Sequence, residues 1–270
     1  MNLSRIAWLC ALALAACKSS CARDDGLVRV PGGTFQMGSN DGPPNERPAH
    51  TTSVASFDID RTEVTVQAYA ECVTAGVCSE PEPYEHVLSK KPILCNWHHP
   101  EGRATHPINC VDWNQATAFC KRIGKRLPTE EEWEYAARRG GHLFPWGEAG
   151  PGANLINACG PDCAANGIAK GFGGWSTIPW GNDGWPETAP VGSFPAGASI
   201  DGVQDLIGNV WEWTSSEYSQ DYSGKNPPSK ERVARGGSWT NSSLSSLRAT
   251  SRITVDPSIR MYTIGFRCAR

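Results

Sequence analysis

Of the 11 cysteines in this 270-residue chain, nine lie beyond Cys17, which ends an apolar leader, and that placement constrains the fold more than any other feature. Arg5 is the only charge ahead of the apolar run Ile6 to Ala16. The run is too short to cross a bilayer as a helix and has the length of a signal-peptide core. It ends in Leu14-Ala15-Ala16-Cys17, which is similar to a bacterial lipobox. That predicts a signal peptide over 1–16, a lipidated N-terminus at Cys17 and a polar tether over 17–26. An ordinary secretory signal cut nearby is the alternative. The first reading makes the protein a cell-envelope lipoprotein, periplasmic or attached to the outer membrane, that touches the membrane through its lipid only. Lys18, where an aspartate would signal inner-membrane retention, favours the outer membrane.

Export decides how the remaining cysteines read. Cys21, Cys72, Cys78, Cys95, Cys110, Cys120, Cys159, Cys163 and Cys268 form a disulfide framework first in an oxidising compartment. Eight of them can pair, which leaves Cys21 in the tether. Cys72 and Cys78 are close enough in sequence to close a small loop, and so are Cys159 and Cys163. A zinc site at Cys159-Gly-Pro-Asp-Cys163 lacks a second CxxC or a nearby histidine pair. The formal net charge of -3 and the absence of a basic stripe exclude nucleic acid as a natural partner. Glycine (28), proline (20) and tryptophan (11) are plentiful, which points to a loop-rich fold anchored by large aromatics rather than a helical bundle.

Local patterns place a few elements. Leu27 to Ser39 reads as two strands about a Pro-Gly-Gly turn, and Thr51 to Ile59 as one strand. Thr62 to Ala75 is predicted as a helix from Val66, Tyr69, Ala70 and Val73, with Gly76 ending it. Asp112 and Gln115 form a capping box for a helix whose buried stripe is Ala116, Phe119, Cys120 and Ile123. Thr129 opens another helix, Glu130 to Arg139, whose first-turn glutamates suit the helix dipole and read as solvated. Residues 140–201 show little periodicity and read as a long ordered loop. Val233 to Trp239 and Thr263 to Cys268 read as closing strands.

Several segments, taken in order, are specific as a series. They are Val30-Pro-Gly-Gly-Thr-Phe-Gln-Met-Gly-Ser39, Gly124-Lys-Arg-Leu-Pro-Thr-Glu-Glu-Glu-Trp-Glu-Tyr-Ala-Ala-Arg138, Phe144-Pro-Trp-Gly147, Gly208-Asn-Val-Trp-Glu-Trp213, Arg235-Gly-Gly-Ser-Trp239 and Gly265-Phe-Arg-Cys268. From Leu27 to Arg270 the chain resembles the formylglycine-generating enzyme (sulfatase-modifying factor) family. The resemblance implies an α+β fold: compact, loop-rich, related to C-type lectins, with few short helices and strands. It implies bridges Cys120–Cys268 and Cys95–Cys110. It also implies two structural calcium sites, calcium being a cation that takes six to eight oxygen ligands. One would use Asp205 and Glu212 side chains with the Gly208 and Val210 carbonyls. The other would use Asp183 and the Trp185 carbonyl, with Asn154 and the Leu155 carbonyl or else Asn157.

The family's founding enzyme oxidises a client cysteine to formylglycine with copper and oxygen, and two cysteines soon after the RGGS turn hold Cu(I). Here those positions fall on Asn241 and Ser246, whose oxygens are poor ligands for a soft ion. Thr240 to Leu247 contains no cysteine or histidine. Other members are non-haem iron enzymes, but their iron ligands come from an additional domain with no counterpart before Leu27. His98, His99 and His106 lack a carboxylate at facial-triad spacing and read as loop residues stacked on Trp97. The expectation is therefore a domain without formylglycine-generating activity and without copper, acting as a binding, scaffolding or accessory module for an exported protein or peptide. Its groove candidates are Trp239, Arg248 and Arg252, the two arginines being able to accept a carboxylate. The alternatives are an active oxidase using a rearranged site and a secreted iron enzyme.

Overall fold

The computed structural model describes residues 26–81 and 94–270. The signal-peptide, Cys17 and Cys21 expectations lie outside the described residues. The chain is α+β and loop-rich, with short elements in three small sheets. Strand β1 (Leu27–Val30) pairs antiparallel with β4 (Phe57–Asp60), and β2 (Gly33–Met37) with β3 (His50–Val54). The main sheet has the order β7 (Arg252–Val255), β6 (Arg232–Arg235), β5 (Trp211–Glu217), β8 (Ile264–Gly265). Only its β5–β8 edge is parallel.

The expected single strand over Thr51 to Ile59 is two strands. It breaks at Ala55-Ser56 because its halves serve different sheets, the first pairing with β2 and the second with β1. Helix α1 (Val66–Thr74) starts later than Thr62. Thr65 is its N-cap and accepts a hydrogen bond from the Ala68 N–H, so Glu63 lies outside the helix. Helix α2 (Trp113–Arg122) carries the Asp112–Gln115 capping box. Ile123 does not join its buried stripe: it is the C-cap, has left helical geometry, and is 45% exposed. Helix α3 (Glu130–Arg138) opens with the reciprocal Thr129–Glu132 box.

The long stretch 140–201 contains helix α4 (Pro161–Ala169). Its residues lack a clear apolar stripe, so periodicity missed it. The usable signals were Pro161 at the first helical position and Asp162 in the first turn.

Two large apolar clusters fill the interior. Trp133, Phe35, Met37 and Ile59 lie in one, and Tyr69, Phe119, Trp213 and Phe266 in the other. A smaller one gathers Leu94, Cys159, Cys163 and Trp239 under the half-buried rings of Phe172, Trp175 and Tyr262. Four disulfides brace these layers: Cys72–Cys78 after α1, Cys95–Cys110 across an irregular stretch, Cys159–Cys163 at the start of α4, and Cys120–Cys268 between α2 and the C-terminal segment.

Candidate functional site

The turn after β6 is built on glycine. Gly236 and Gly237 have φ of +101° and +80°, and a Cβ on either would come within 2.6 Å of the Leu206 oxygen or 2.7 Å of the Ser246 oxygen. The turn delivers Trp239 into the interior, where its N–H donates to the Asn209 oxygen at 2.9 Å and its ring meets Trp175 edge-on.

Asn241 closes the next turn. Its Oδ1 accepts from the Ser238 N–H at 2.8 Å and the Ser238 hydroxyl at 3.1 Å, and its backbone oxygen accepts from the Cys159 N–H at 2.9 Å. Ser246 is half-buried, and its N–H donates to the Ser243 oxygen at 3.0 Å. Between them Leu244 stands 50% exposed among serines. Cys163 Sγ is the nearby sulfur, 3.6 Å from the Trp239 carbonyl oxygen, and it is bonded to Cys159. All eight described cysteines are paired. The amide and hydroxyl side chains at 241 and 246 do not fit Cu(I), which prefers thiolates.

Of the two arginines expected to face a client, Arg252 is an internal strut. Arg252 is 3% exposed and gripped on two sides by Glu130, through Nε–Oε1 at 2.7 Å and Nη2–Oε2 at 2.9 Å. Its Nη1 donates to the Asn45 and Ser219 oxygens, and the guanidinium lies over the Tyr218 and Tyr222 rings. Arg248 donates to Glu46 Oε1 at 2.7 Å. Arg252 thus offers no free fork for a ligand carboxylate, while Arg248 is half-buried with Nη2 engaged by Glu46. Glu130 is likewise buried rather than solvated, because Arg252, Arg235 and the Tyr222 hydroxyl surround it. Arg235 is wholly buried and bonded to Glu134; those carboxylates outweigh the burial that works against its charge and hold it more basic than usual.

The histidines do not converge on a metal. His98 and His99 are exposed, whereas His106 is buried with Nδ1 3.0 Å from Thr188 Oγ1 and its ring edge-on to Trp185. Burial, then the neighbouring Arg103 charge, lowers its pKa to about 4. Among the described residues no three metal-ligating side chains of the His, Cys, Asp and Glu types cluster.

The oxygen sites are more informative. Asp205 sits at φ +56° with Oδ2 held by the Gly192 N–H at 2.5 Å. Gly208 and Val210 are buried on the same segment. Both Glu212 oxygens have partners: Arg267 holds each at 2.7 Å, and the Trp133 indole donates to Oε2 at 2.8 Å. Glu63, which sequence reasoning placed in a helix, is instead 2% exposed, and neither of its oxygens has a hydrogen-bond partner among the described residues. Burial raises its pKa well above normal, and the adjacent Asp205 charge adds to that. A buried carboxylate without donors fits a cation.

At the other position Asp183 accepts from the N–H groups of Trp185 (2.8 Å) and Ala158 (2.7 Å) and from Asn157 Nδ2 (3.2 Å). Burial nevertheless raises its pKa to about 6. Asn157 Oδ1 is buried without a partner among the described residues, while Asn154 is exposed and Leu155 half-buried. Of the two registers expected, the geometry brings Asn157 to Asp183.

The family described as "Sulfatase-modifying factor enzyme 1-like domain" matches residues 14–270. The chain is 34% identical to the formylglycine-generating enzyme of Bos taurus, over 90% of this chain and 74% of that one. It is 32% identical to the inactive C-alpha-formylglycine-generating enzyme 2 of the same species, over 90% and 87%. Among solved structures, PvdO from Pseudomonas aeruginosa superposes with a TM-score of 0.65 at 28% identity, covering 90% of this chain and 93% of that one.

Proposed function

This chain belongs to the sulfatase-modifying factor enzyme 1-like family, and on that premise we propose that it is a member without formylglycine-generating oxidase activity, serving as a binding or accessory module for another exported protein. The family holds active oxidoreductases as well as relatives named inactive, so membership alone decides nothing about catalysis. The observation that carries the proposal is the chemistry at Asn241 and Ser246. Asn241 is a turn-closing amide, Ser246 is a hydroxyl, and the sulfurs beside them are tied to each other.

The client face runs over the exposed serines and Leu244 between those positions and onto the half-buried rings of Phe172, Trp175 and Tyr262. Of the groove candidates first expected, Trp239 lies beneath this face, packed on Trp175 and Tyr262, whereas Arg252 is bound to Glu130 and Arg248 to Glu46. Export and lipidation at Cys17 would present this face in the cell envelope, and four disulfides suit an oxidising compartment. Calcium would act structurally at Asp205 and Asp183, supplying positive charge to carboxylates that burial otherwise disfavours.

The test is an aldehyde assay. The disulfide-bonded protein is given Cu(I), oxygen and a peptide carrying Cys-x-Pro-x-Arg, with an active family member as the positive control. The expected result is no aldehyde by mass spectrometry. Aldehyde that disappears with a chelator would overturn the proposal.

A further inference from the structure

The C-terminal end of α2 has a surface that neither the core nor the candidate site uses. Ile123 caps the helix at 45% exposure, with Lys121 and Arg122 before it and Gly124 and Lys125 after it. Lys121 and Arg122 are exposed and have no ion-pair partner among the described residues. Cations in the last turn suit the helix dipole, which accounts for those two but not for an isoleucine in solvent beside them. The turn is fixed in place. The N–H groups of Ile123 and Lys125 both donate to the Cys120 oxygen, that of Gly124 donates to the Lys121 oxygen, and Cys120 is bonded to Cys268.

This turn lies close to the start of β1. Leu27 pairs with Asp60 on β4. Asp60 Oδ1 accepts from Lys125 Nζ at 2.5 Å, and its Oδ2 accepts from the Cys268 N–H at 2.9 Å. Leu27 and Lys125 therefore meet at one residue. The backbone rows of β1, β4, Ala269 and Arg126 run side by side, which puts Leu27 roughly 15 Å from the turn at the usual strand spacing. Arg29 and Arg270 stand exposed on the same rows and share Asp58. Arg126 is neutralised by Glu132. Arg29, Lys121, Arg122, Lys125 and Arg270 thus gather near Leu27 with only Asp58 and Asp60 bound among them, on a chain whose formal net charge is -3.

What this surface meets follows from the anchor, and the inference rests on the reading that Cys17 is lipidated. The stretch from Cys17 to Leu27 reaches at most about 35 Å even when fully extended. An anchored chain therefore keeps its Leu27 side near the headgroups. Anionic phospholipids attract lysine and arginine at the bilayer surface, and an apolar side chain set among cations enters the headgroup boundary. We propose that Lys121 to Lys125 is a contact surface for anionic phospholipid, with Lys121 and Arg122 on the lipid phosphates and Ile123 between them in the headgroup layer. The domain then rests on the bilayer through protein as well as lipid, beyond the lipid-only attachment expected from the sequence.

The full chain is expressed in a bacterium that acylates lipoproteins, and the lipid on Cys17 is checked by mass spectrometry. The protein is placed on vesicles of phosphatidylcholine alone or mixed with phosphatidylglycerol, and its lysines are acetylated. Lys121 is read against Lys225 and Lys230, which are exposed ahead of β6. Lys121 labelling is expected to fall at least about five-fold on the anionic vesicles, the worth of one cation at such a surface, and to recover at high salt. Arg122→Glu shifts the surface by two charges, about 30-fold in contact, and should restore Lys121 labelling while the lipid keeps the protein on the vesicle. If Cys17 is acylated and Lys121 changes only in step with Lys225 and Lys230, the contact is overturned and the lipid reading stands. If Cys17 carries no lipid, both fall, because nothing then holds this side to the bilayer.

Discussion

Arg267 and Glu212 face each other as a wholly buried two-point ion pair, Nε to Oε2 and Nη2 to Oε1, both at 2.7 Å. The pair joins the C-terminal segment to β5 and is locked by the Trp133 indole from α3. Removing one partner leaves the other charged in the interior. Glu212→Gln is expected to cost about 3–5 kcal/mol, typical of a broken buried pair. Urea unfolding of stripped protein measures it; a loss below 1 kcal/mol would mean that the pair is not carrying this junction.

Arg252→Ala tests whether this side chain is wall or groove. As a strut between β7, Glu130 and the backbone of Asn45, its loss should destabilise the fold by about 3 kcal/mol. Client capture should fall only in proportion to the folded fraction. A variant with unchanged unfolding midpoint and lost capture would return Arg252 to the binding face.

His106 gives the fold an acid sensitivity. Its pKa is about 4 when folded, below the usual histidine value near 6.5. The unfolded chain therefore takes up a proton in that interval that the native one refuses. Stability from this group is complete above about pH 6.5 and is lost as pH falls towards 4, at a slope of at most about 1.4 kcal/mol per pH unit. His106→Asn should flatten that part of the stability-pH curve. An unchanged curve would contradict the assignment.

The disulfides should differ in weight. Cys120–Cys268 closes a separation of 148 residues and Cys159–Cys163 one of 4. Chain entropy predicts losses of about 5 and about 2 kcal/mol when each pair is replaced by serine. Calorimetry of the two double variants checks the order, and a reversed order would show that the short bridge organises the Trp239 cluster beyond its loop entropy.

Sequence patterns revealed what depends on neighbours in the chain. The Asp112 and Thr129 caps and the cysteine framework follow from local order or from motif content. What stayed hidden depends on contacts far along the chain. Nothing local to Glu63 tells that it is buried against Asp205, more than a hundred residues away, or that Arg252 reaches back to Glu130. Helix α4 escaped because one of its faces is supplied by a disulfide and by Trp175 lying over Gly167, not by an apolar repeat. The split of the strand at Ala55 was equally unreadable, since it arises from a change of partner.

The hydrogen bonds of Asn241 also bear on any attempt to build a metal-binding thiol pair into this turn. A cysteine at 241 would leave the Ser238 N–H without the Asn241 Oδ1 acceptor, and one at 246 would do nothing to replace it. The first of two such substitutions therefore lowers the stability of the turn before the second can complete a pair, whereas the exposed surface around Leu244 can change without touching those bonds.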